Sequence, residues 1–147
     1  MKRSLAVLWY MVVLLWLPTI GAHAFSQADL DMLRSGSACI RCDLSGADLS
    51  GADLSQKNLT FADLSGANLS GAIITESELP HANLSGANLS GAVVRSSDCS
   101  YVNLINANLS GADLSMSEFE LATWTDGRTC GQFSNSGCKG LLGDIRK

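Results

Sequence analysis

An apolar residue recurs at every fifth position along most of the chain, and this spacing restricts the fold more than any other feature. The series contains 17 five-residue units without an insertion. Before the central residue stand mostly Ala and then Asp or Asn, and Ser or Thr mostly follows it. The central residues are Leu44, Leu49, Leu54, Leu59, Leu64, Leu69, Ile74, Leu79, Leu84, Leu89, Val94, Cys99, Leu104, Leu109, Leu114, Phe119 and Trp124. Such regularity predicts a repeat architecture.

A period of five fits neither an α-helix nor a flat β-strand. In a helix each five-residue step turns by about 500°, so successive central residues would share no face. In a strand an odd step places successive central residues on opposite faces. Two inward residues in every five, one small and one large, instead predict a tightly coiled solenoid. Gly, Asn, Asp and Ser tolerate the bend that each unit then needs.

The units ADLSG, ANLSG and KNLTF resemble the repeat of the pentapeptide-repeat family, whose pattern is A(D/N)LxX. The resemblance covers residues 42–126. It implies an all-β fold, a right-handed quadrilateral β-helix (β-solenoid) in which four units make one coil. The central residue and the residue two places before it would point inward, and the other three outward. The 17 units would then form about four coils.

Irregularities that recur at every fourth unit support four sides in each coil. In the fourth unit, the position two before the centre departs from Ala and the position two after it departs from Gly. These two columns read Lys57, Ser77, Ser97, Ser117 and Phe61, His81, Tyr101, Leu121. The varied columns of the third unit read Asp53, Ile73, Val93, Asp113 and Gln56, Glu76, Ser96, Met116. Two adjacent sides are therefore smooth, and the other two carry nearly all of the variation.

Residues 1–24 have the pattern of a secretory signal peptide. A basic start precedes an apolar run over 5–17, and small residues at 22 and 24 precede the cleavage point. The run is shorter than the ~20 residues of a spanning helix, which favours a signal peptide, and an uncleaved N-terminal anchor is the alternative. We predict an exported protein, periplasmic or secreted, that meets the membrane only during export or if this segment stays uncleaved. The remaining boundaries are 25–41 for a helical N-terminal cap, 42–126 for the repeats and 127–147 for a C-terminal cap and tail.

The two flanks of the repeats are predicted to close the open ends of the solenoid. The segment FSQADLDMLRSG, 25–36, predicts a short helix with Ser26 and Asp29 as a capping pair. At the other end, Trp124 occupies the last central position before an Asp-Gly turn and a Cys-bounded loop. These ends resemble those of exported bacterial members of the family, which carry Cys-containing caps.

All five cysteines follow the predicted cleavage point and suit an oxidising compartment. Cys39 and Cys42 form a C-x-x-C, for which we favour a disulfide or paired thiols in the N-terminal cap. A redox motif or a zinc site would need a βαβ unit or a second C-x-x-C. Cys130 and Cys138 are predicted to close a loop in the C-terminal cap. Cys99 stands at a central position and is predicted to be a buried free thiol.

We predict no enzymatic activity, no cofactor and no metal site, because a packed lumen offers no concave pocket. His81 is the single His beyond the predicted signal peptide, so no His-centred triad can be argued. A stacked surface ladder with Phe61 and Tyr101 is favoured over a metal ligand or a general base. Residues 42–126 contain 11 acidic and two basic residues, a net charge of −9. This charge disfavours nucleic acid and anionic membranes as partners.

The leading hypothesis is an exported, monomeric, non-catalytic module that displays a flat wall to an unidentified protein or serves a structural role. The family resemblance adds a second hypothesis, since some cytoplasmic members resemble DNA in shape and charge and inhibit type II topoisomerases. A third hypothesis is thiol redox chemistry through Cys39 and Cys42. The candidate partner-binding face consists of Phe61, Ile73, Glu76, His81, Val93, Arg95, Tyr101 and Leu121.

Overall fold

The computed structural model describes residues 25–36 and 38–131, so the predicted signal peptide and residues 132–147 lie outside the description. The regular elements of the described residues are helix α1 (Gln27–Arg34) and strands β1 (Ile73–Thr75) and β2 (Val93–Arg95). No helix among the described residues has the length and apolar character needed to cross a membrane.

Backbone pairing joins each unit to the fourth unit after it. The first bridge of the series joins Asp43 to Asp63, and the last joins Asn103 to Thr123. Strands β1 and β2 pair in the same parallel register. Each coil therefore contains four five-residue units, and most strands shrink to a single bridged residue because a turn follows in every unit.

Four walls surround the lumen, each formed by every fourth unit, and we number them 1 to 4 in chain order. The central residues are Leu44, Leu64, Leu84, Leu104 and Trp124 in wall 1, and Leu49, Leu69, Leu89 and Leu109 in wall 2. They are Leu54, Ile74, Val94 and Leu114 in wall 3, and Leu59, Leu79, Cys99 and Phe119 in wall 4. Walls 1 and 2 are the smooth pair.

A residue with positive φ stands at each corner, two places after the central residue. Glycine, which lacks a Cβ and adopts this conformation readily, occupies most corners after walls 1 and 2, as at Gly66 with φ 64°. The corners after walls 3 and 4 have similar angles but larger side chains: Gln56, Glu76, Ser96, Met116, Phe61, His81, Tyr101 and Leu121. Such a conformation costs a non-glycine residue on the order of 1–2 kcal/mol.

The lumen is filled by the central side chains and by the alanines two places before them. Leu59 and Leu69 are fully buried, and an internal cavity of about 10 Å³ remains. That volume is close to the minimum for one water molecule, so no substrate fits inside. The prediction of an inward orientation is confirmed for most central residues, but Leu109 and Leu114 are only half-buried. Both lie in the last coil of their walls among the described residues.

Wall 4 replaces the inward alanine with a ladder of serine hydroxyls. The ladder consists of Ser77, Ser97 and Ser117, all buried. The Ser97 hydroxyl donates to the carbonyl of Ile74 at 2.9 Å and accepts from the backbone N–H of Ser77 at 3.1 Å. At the corners after walls 1 and 2, the inward residue instead donates its N–H to the carbonyl of the central residue three places earlier. Ala87 donates in this way to Leu84 at 3.1 Å. At Ser77 and Ser97, hydroxyls of the ladder therefore replace the turn hydrogen bond at the corner between walls 3 and 4, whereas Ser117 still donates its N–H to the Leu114 carbonyl at 3.4 Å.

Helix α1 covers the N-terminal edge of wall 1. Ser26 caps the helix, since its hydroxyl accepts the N–H of Asp29 at 3.2 Å. The Asp29 carboxylate accepts the N–H of Asp43 at 2.8 Å, and the Asp43 carbonyl accepts the N–H of Ser26 at 2.9 Å. Leu30 and Leu33 are buried beneath the helix. Both backbone groups of Asp43, on the edge of the first coil, are thus bonded.

We expect Asp29→Ala to lower the free energy of unfolding by about 1–2 kcal/mol, because the N–H of Asp43 loses its acceptor. Asp31→Ala is the matched control, since Asp31 is exposed on the same helix and bonds only to the Gln27 side chain among the side-chain contacts of the described residues. The control should change stability by less than about 0.5 kcal/mol. Urea denaturation measures both variants, and equal losses would show that Asp29 has no special role at the coil edge.

A hairpin closes the last described coil. Thr123 pairs antiparallel with Thr129, and Gly127 at φ 83° donates its N–H to the Trp124 carbonyl at 2.9 Å. The Trp124 ring is buried and meets the Phe119 ring edge-on, with centroids 5.4 Å apart. The expected turn after Trp124 is confirmed.

Candidate functional site

Three rings stack along the corner that follows wall 4, and we call Phe61, His81 and Tyr101 the aromatic column. The Phe61 and His81 centroids are 4.7 Å apart with planes inclined by 4°, and those of His81 and Tyr101 are 4.6 Å apart at 12°. One coil earlier, the guanidinium carbon of Arg41 lies 5.3 Å from the Phe61 centroid. This distance is typical of a cation–π contact. The prediction of a stacked ladder at His81 is confirmed.

Stacking alone does not offset the backbone cost of the aromatic column. Each stacked pair contributes about 0.5–1.5 kcal/mol beyond area burial. Against this, each of the three residues has φ near 60°, where an L residue loses on the order of 1–2 kcal/mol. Glycine would avoid that cost, as it does at the smooth corners. The rings are therefore not explained by stability alone.

Acidic side chains face outward from wall 4 beside the aromatic column. Glu78 bridges Asp98, and Asp98 bridges Glu118, so three carboxylates occupy one position on successive coils. We call these three residues the carboxylate column. Its first member accepts a hydrogen bond from the Asn58 amide. Like charges at directly opposed positions destabilise a sheet, so this arrangement is unfavourable for the isolated chain.

The other predicted face residues lie on wall 3 and its corner. Ile73 is 43% exposed, and Val93 beside it is half-buried. Two of the charged members already have partners, since Arg95 pairs with Asp113 and Glu76 accepts from the Gln56 amide at 3.1 Å. The remaining residue, on the corner after wall 4, is the half-buried Leu121. The structure thus brings the predicted face residues onto two adjacent walls. The charged side chains on wall 3 already have partners within the chain.

The Arg95–Asp113 pair gives a pH-dependent prediction. Hydrogen bonding from Arg95, above all, lowers the pKa of Asp113 to about 2. Because this pKa lies below the unfolded value of about 3.9, the pair stabilises the fold fully above pH ~4 and loses its effect as the pH falls through about 2. We expect Arg95→Gln to move the NMR titration midpoint of Asp113 towards its ordinary value. Arg128→Gln, which affects Asp126, is the control, and an unchanged Asp113 midpoint in Arg95→Gln would contradict the assignment.

The smooth walls carry amide ladders at the position that is acidic in wall 4. The Asn108 amide donates to Asn88 at 3.1 Å, and Asn88 donates to Asn68 at 3.3 Å. The ladder ends on the Asp48 carboxylate at 3.1 Å. An Asn supplies both a donor and an acceptor, whereas a carboxylate supplies acceptors alone. Apart from the opposed pair Asp43 and Asp63 of wall 1, the smooth walls therefore pair their outward side chains from coil to coil, which the carboxylate column cannot do.

The cysteines offer no accessible thiolate in the described residues. Cys39 and Cys42 form a disulfide with Cα atoms 5.3 Å apart, and both side chains are buried. Cys99 is a buried free thiol, as predicted, and burial raises its pKa. Cys130 is buried and disulfide-bonded, while its predicted partner Cys138 lies outside the described residues. Since the thiolate is the reactive form, none of the four described sulfurs is poised for chemistry.

No arrangement typical of a catalytic or metal centre occurs among the residues described. Groups of three or more His, Cys, Asp or Glu placed to hold a metal ion are not found there. Several wall aspartates have a lowered pKa, but the cause is local. At Asp43 and Asp48, for example, the Ser two residues later hydrogen-bonds to the carboxylate and lowers the pKa.

The five-residue repeat assigns the chain to a family. The family model described as pentapeptide repeats matches residues 42–79, 58–91 and 87–123, with eight copies. These matches together span more than half of the chain. The chain belongs to the pentapeptide-repeat family. Membership and the solved neighbours imply a right-handed β-helix, and no catalytic family is indicated.

Solved pentapeptide-repeat structures resemble this chain to different extents. The match to alr5209, a pentapeptide repeat protein from Nostoc Pcc 7120, has 35% identity and a TM-score of 0.58, and it covers 63% of this chain and 78% of that one. QnrB1, a plasmid-mediated fluoroquinolone resistance protein, matches with 27% identity and a TM-score of 0.49, over 52% of this chain and 37% of its own. HetL, involved in heterocyst differentiation regulation in Nostoc sp. strain PCC 7120, is 31% identical with a TM-score of 0.29, over 63% of this chain and 51% of HetL. Of these three, alr5209 supports the fold, and a search of curated proteins finds no match.

Sequence reasoning misses two parts of this surface. Arg41 falls within the predicted cap, although it stands one coil before Phe61 and so belongs to the same column. The sequence reasoning counts the carboxylate column only as part of the overall negative charge, although its members recur at every fourth unit. Writing the sequence in rows of 20 residues and comparing every outward position would find both Arg41 and the carboxylate column.

Proposed function

We propose that this pentapeptide-repeat protein is an exported, non-catalytic module that binds another protein through its outward surface. It would be a monomeric quadrilateral stack of about four coils, with a helical N-terminal cap and a Cys-bounded C-terminal cap. The observation that carries the proposal is the apolar surface kept in register on two adjacent walls. Phe61 and Tyr101 are each 47% exposed and Ile73 is 43% exposed. Exposed aromatic side chains in a rigid frame are typical anchors of protein interfaces.

The interior supports a non-catalytic role. The lumen is packed, with a cavity of about 10 Å³, and the Cys39–Cys42 disulfide is buried. The lumen is therefore not the pocket of hundreds of Å³ with convergent polar groups that an enzyme normally needs. Redox chemistry through Cys39 and Cys42 would need an accessible sulfur, so the structure does not favour that hypothesis.

Inhibition of a topoisomerase by DNA mimicry is the alternative. A DNA mimic needs regularly spaced negative charge along its walls, but at the position before the central residue wall 1 is neutral beyond Asp63 and wall 2 beyond Asp48, where amide ladders follow. The predicted export also separates the protein from DNA enzymes. Recovery of the protein in the cytoplasm with Met1 intact would favour the DNA-mimic hypothesis.

Cell fractionation with N-terminal sequencing tests the export step. We expect a mature chain that begins at Phe25 in the periplasmic or secreted fraction. An intact N-terminus in the membrane fraction would instead identify an uncleaved anchor and contradict a free exported protein.

Cross-linking in the exported fraction tests the binding step. We compare the parent chain with a triple variant in which each ring of the aromatic column becomes Asn, namely Phe61→Asn, His81→Asn and Tyr101→Asn. Asn suits the corner because Asn106 has φ 59° at an equivalent position. The control changes Ser70, Ser90 and Ser110 of wall 2 to Asn. We expect the column variant to lose the cross-linked partner and the control to keep it. Equal recovery of the partner from both variants would contradict binding through the proposed face.

A further inference from the structure

We propose that wall 4 and the aromatic column together dock an extended cationic segment of a protein partner. This segment would carry Lys or Arg side chains on alternate residues. The inference rests on the proposed function and specifies the chemistry of its partner. It is carried by the stacked rings, the carboxylates beside them and the cation that the chain itself places on the column.

The rings supply an apolar surface that is already organised. Phe61, His81 and Tyr101 stack with centroids 4.6–4.7 Å apart, so their outward edges form a continuous strip along three coils. Their backbone is held by coil-to-coil hydrogen bonds, as from the N–H of His81 to Ser100 at 3.0 Å. A partner that binds this strip therefore orders little of the module, which favours affinity.

The carboxylate column fixes the charge of the partner. Glu78, Asp98 and Glu118 repeat at the position where the later coils of the smooth walls use Asn. A neutral Asn ladder would stabilise wall 4 in the same way, whereas the acidic residues repel one another. Among the described residues, the basic side chain of wall 4 is Lys57, which is half-buried in the first coil. A cationic partner would remove the repulsion, and an anionic partner would increase it.

Arg41 shows within the chain how a cation sits on this surface. Its guanidinium lies 5.3 Å from the Phe61 centroid, at the end of the aromatic column. Lys and Arg side chains of a partner would pack their apolar stems on the ring edges. Their charged ends would reach the carboxylates of the adjacent wall.

The spacing of the two columns suits an extended chain. Successive coils are about 4.8 Å apart, so Glu78 and Glu118 are separated by about 10 Å along the solenoid. Alternate residues of an extended chain are about 6.6 Å apart, so two of them fall within that length. Side chains on alternate residues point to the same side of such a segment, so two cations on alternate residues would both face wall 4.

Other ligands for the same surface are disfavoured by its chemistry. Nucleic acid and anionic membranes have the same sign of charge as the carboxylate column. The three carboxylates do not form a metal-binding group, since none is found among the described residues.

Isothermal titration calorimetry with a 12-residue peptide of alternating Lys and Ser tests the inference. We expect saturable binding to the full mature chain that weakens as NaCl is raised, because surface ion pairs are screened. The triple variant Glu78→Gln, Asp98→Asn, Glu118→Gln should bind about tenfold more weakly, as expected for three exposed ion pairs. The matched control Asp43→Asn, Asp48→Asn, Asp63→Asn makes the same change of charge on walls 1 and 2 and should bind like the parent chain.

Several outcomes would overturn the inference. Absence of peptide binding would do so, as would equal weakening in the two charge variants, which would indicate attraction by net charge alone. Stronger binding of a DNA duplex or of phosphatidylglycerol vesicles than of the peptide would do so too. The cross-linking experiment separates this inference from the proposed function. If the natural partner is lost with the aromatic column but kept with the three carboxylates neutralised, the binding module stands and the cationic partner does not.

Discussion

Ser97→Ala will lower the free energy of unfolding by about 3 kcal/mol, although it removes a single oxygen atom from the interior. The backbone N–H of Ser77 loses its acceptor, and the carbonyl of Ile74 loses its donor. Each buried polar group left without a partner costs about 1–3 kcal/mol. Urea denaturation followed by circular dichroism measures the loss.

The control for this prediction is Ser90→Ala on wall 2. Ser90 is half-buried and faces outward, and we expect a change within about 0.5 kcal/mol. If Ser97→Ala is equally mild, the corner has adopted the turn hydrogen bond used at Ala87, and the serine ladder is dispensable. Such a result would contradict the role assigned to the hydroxyls.

Leu69→Ala will have a similar or larger effect, about 2–5 kcal/mol, because it opens a cavity in the middle of the stack. Leu69 is fully buried, and Leu49 and Leu89 occupy the same column one coil before and after it. The flat walls are held by backbone pairing on both sides, so the void cannot collapse easily. Urea denaturation again provides the measurement.

Leu109→Ala is the matched control within the same column. Leu109 is half-buried in the last described coil of wall 2, so its truncation leaves a smaller void and should cost clearly less than that of Leu69. Equal losses at the two positions would contradict the account in which a closed, packed lumen provides most of the stability.

Much of the fold follows from the repeat because its period forces a geometry. An apolar residue at every fifth position can face one lumen only if the chain turns in every unit, and the recurrence of the irregular columns at every fourth unit gives the number of walls. The stacked ring at His81 and the buried thiol at Cys99 follow from the same register. These features depend on position in the repeat alone, so a single sequence contains them.

The rest depends on contacts that the register does not specify. The column of Ser77, Ser97 and Ser117 is visible as an irregularity, but the replacement of a turn hydrogen bond at Ser77 and Ser97 requires knowledge of the corner geometry. Similarly, Asp29 is expected to complete a helix cap, yet its carboxylate bonds to Asp43 across the first coil. The candidate face is also too broad, since Arg95 and Glu76 are engaged within the chain.

One measurement tests most directly whether the aromatic column exists for binding or for stability. It compares the free energy of unfolding and the partner recovery of the triple variant Phe61→Asn, His81→Asn, Tyr101→Asn with those of the parent chain. Because Asn relieves part of the backbone cost as it removes the stacking, we predict unfolding free energies within about 1 kcal/mol of each other and loss of the partner from the variant. A large fall in stability with undiminished partner recovery would contradict the account and identify the column as a structural ladder.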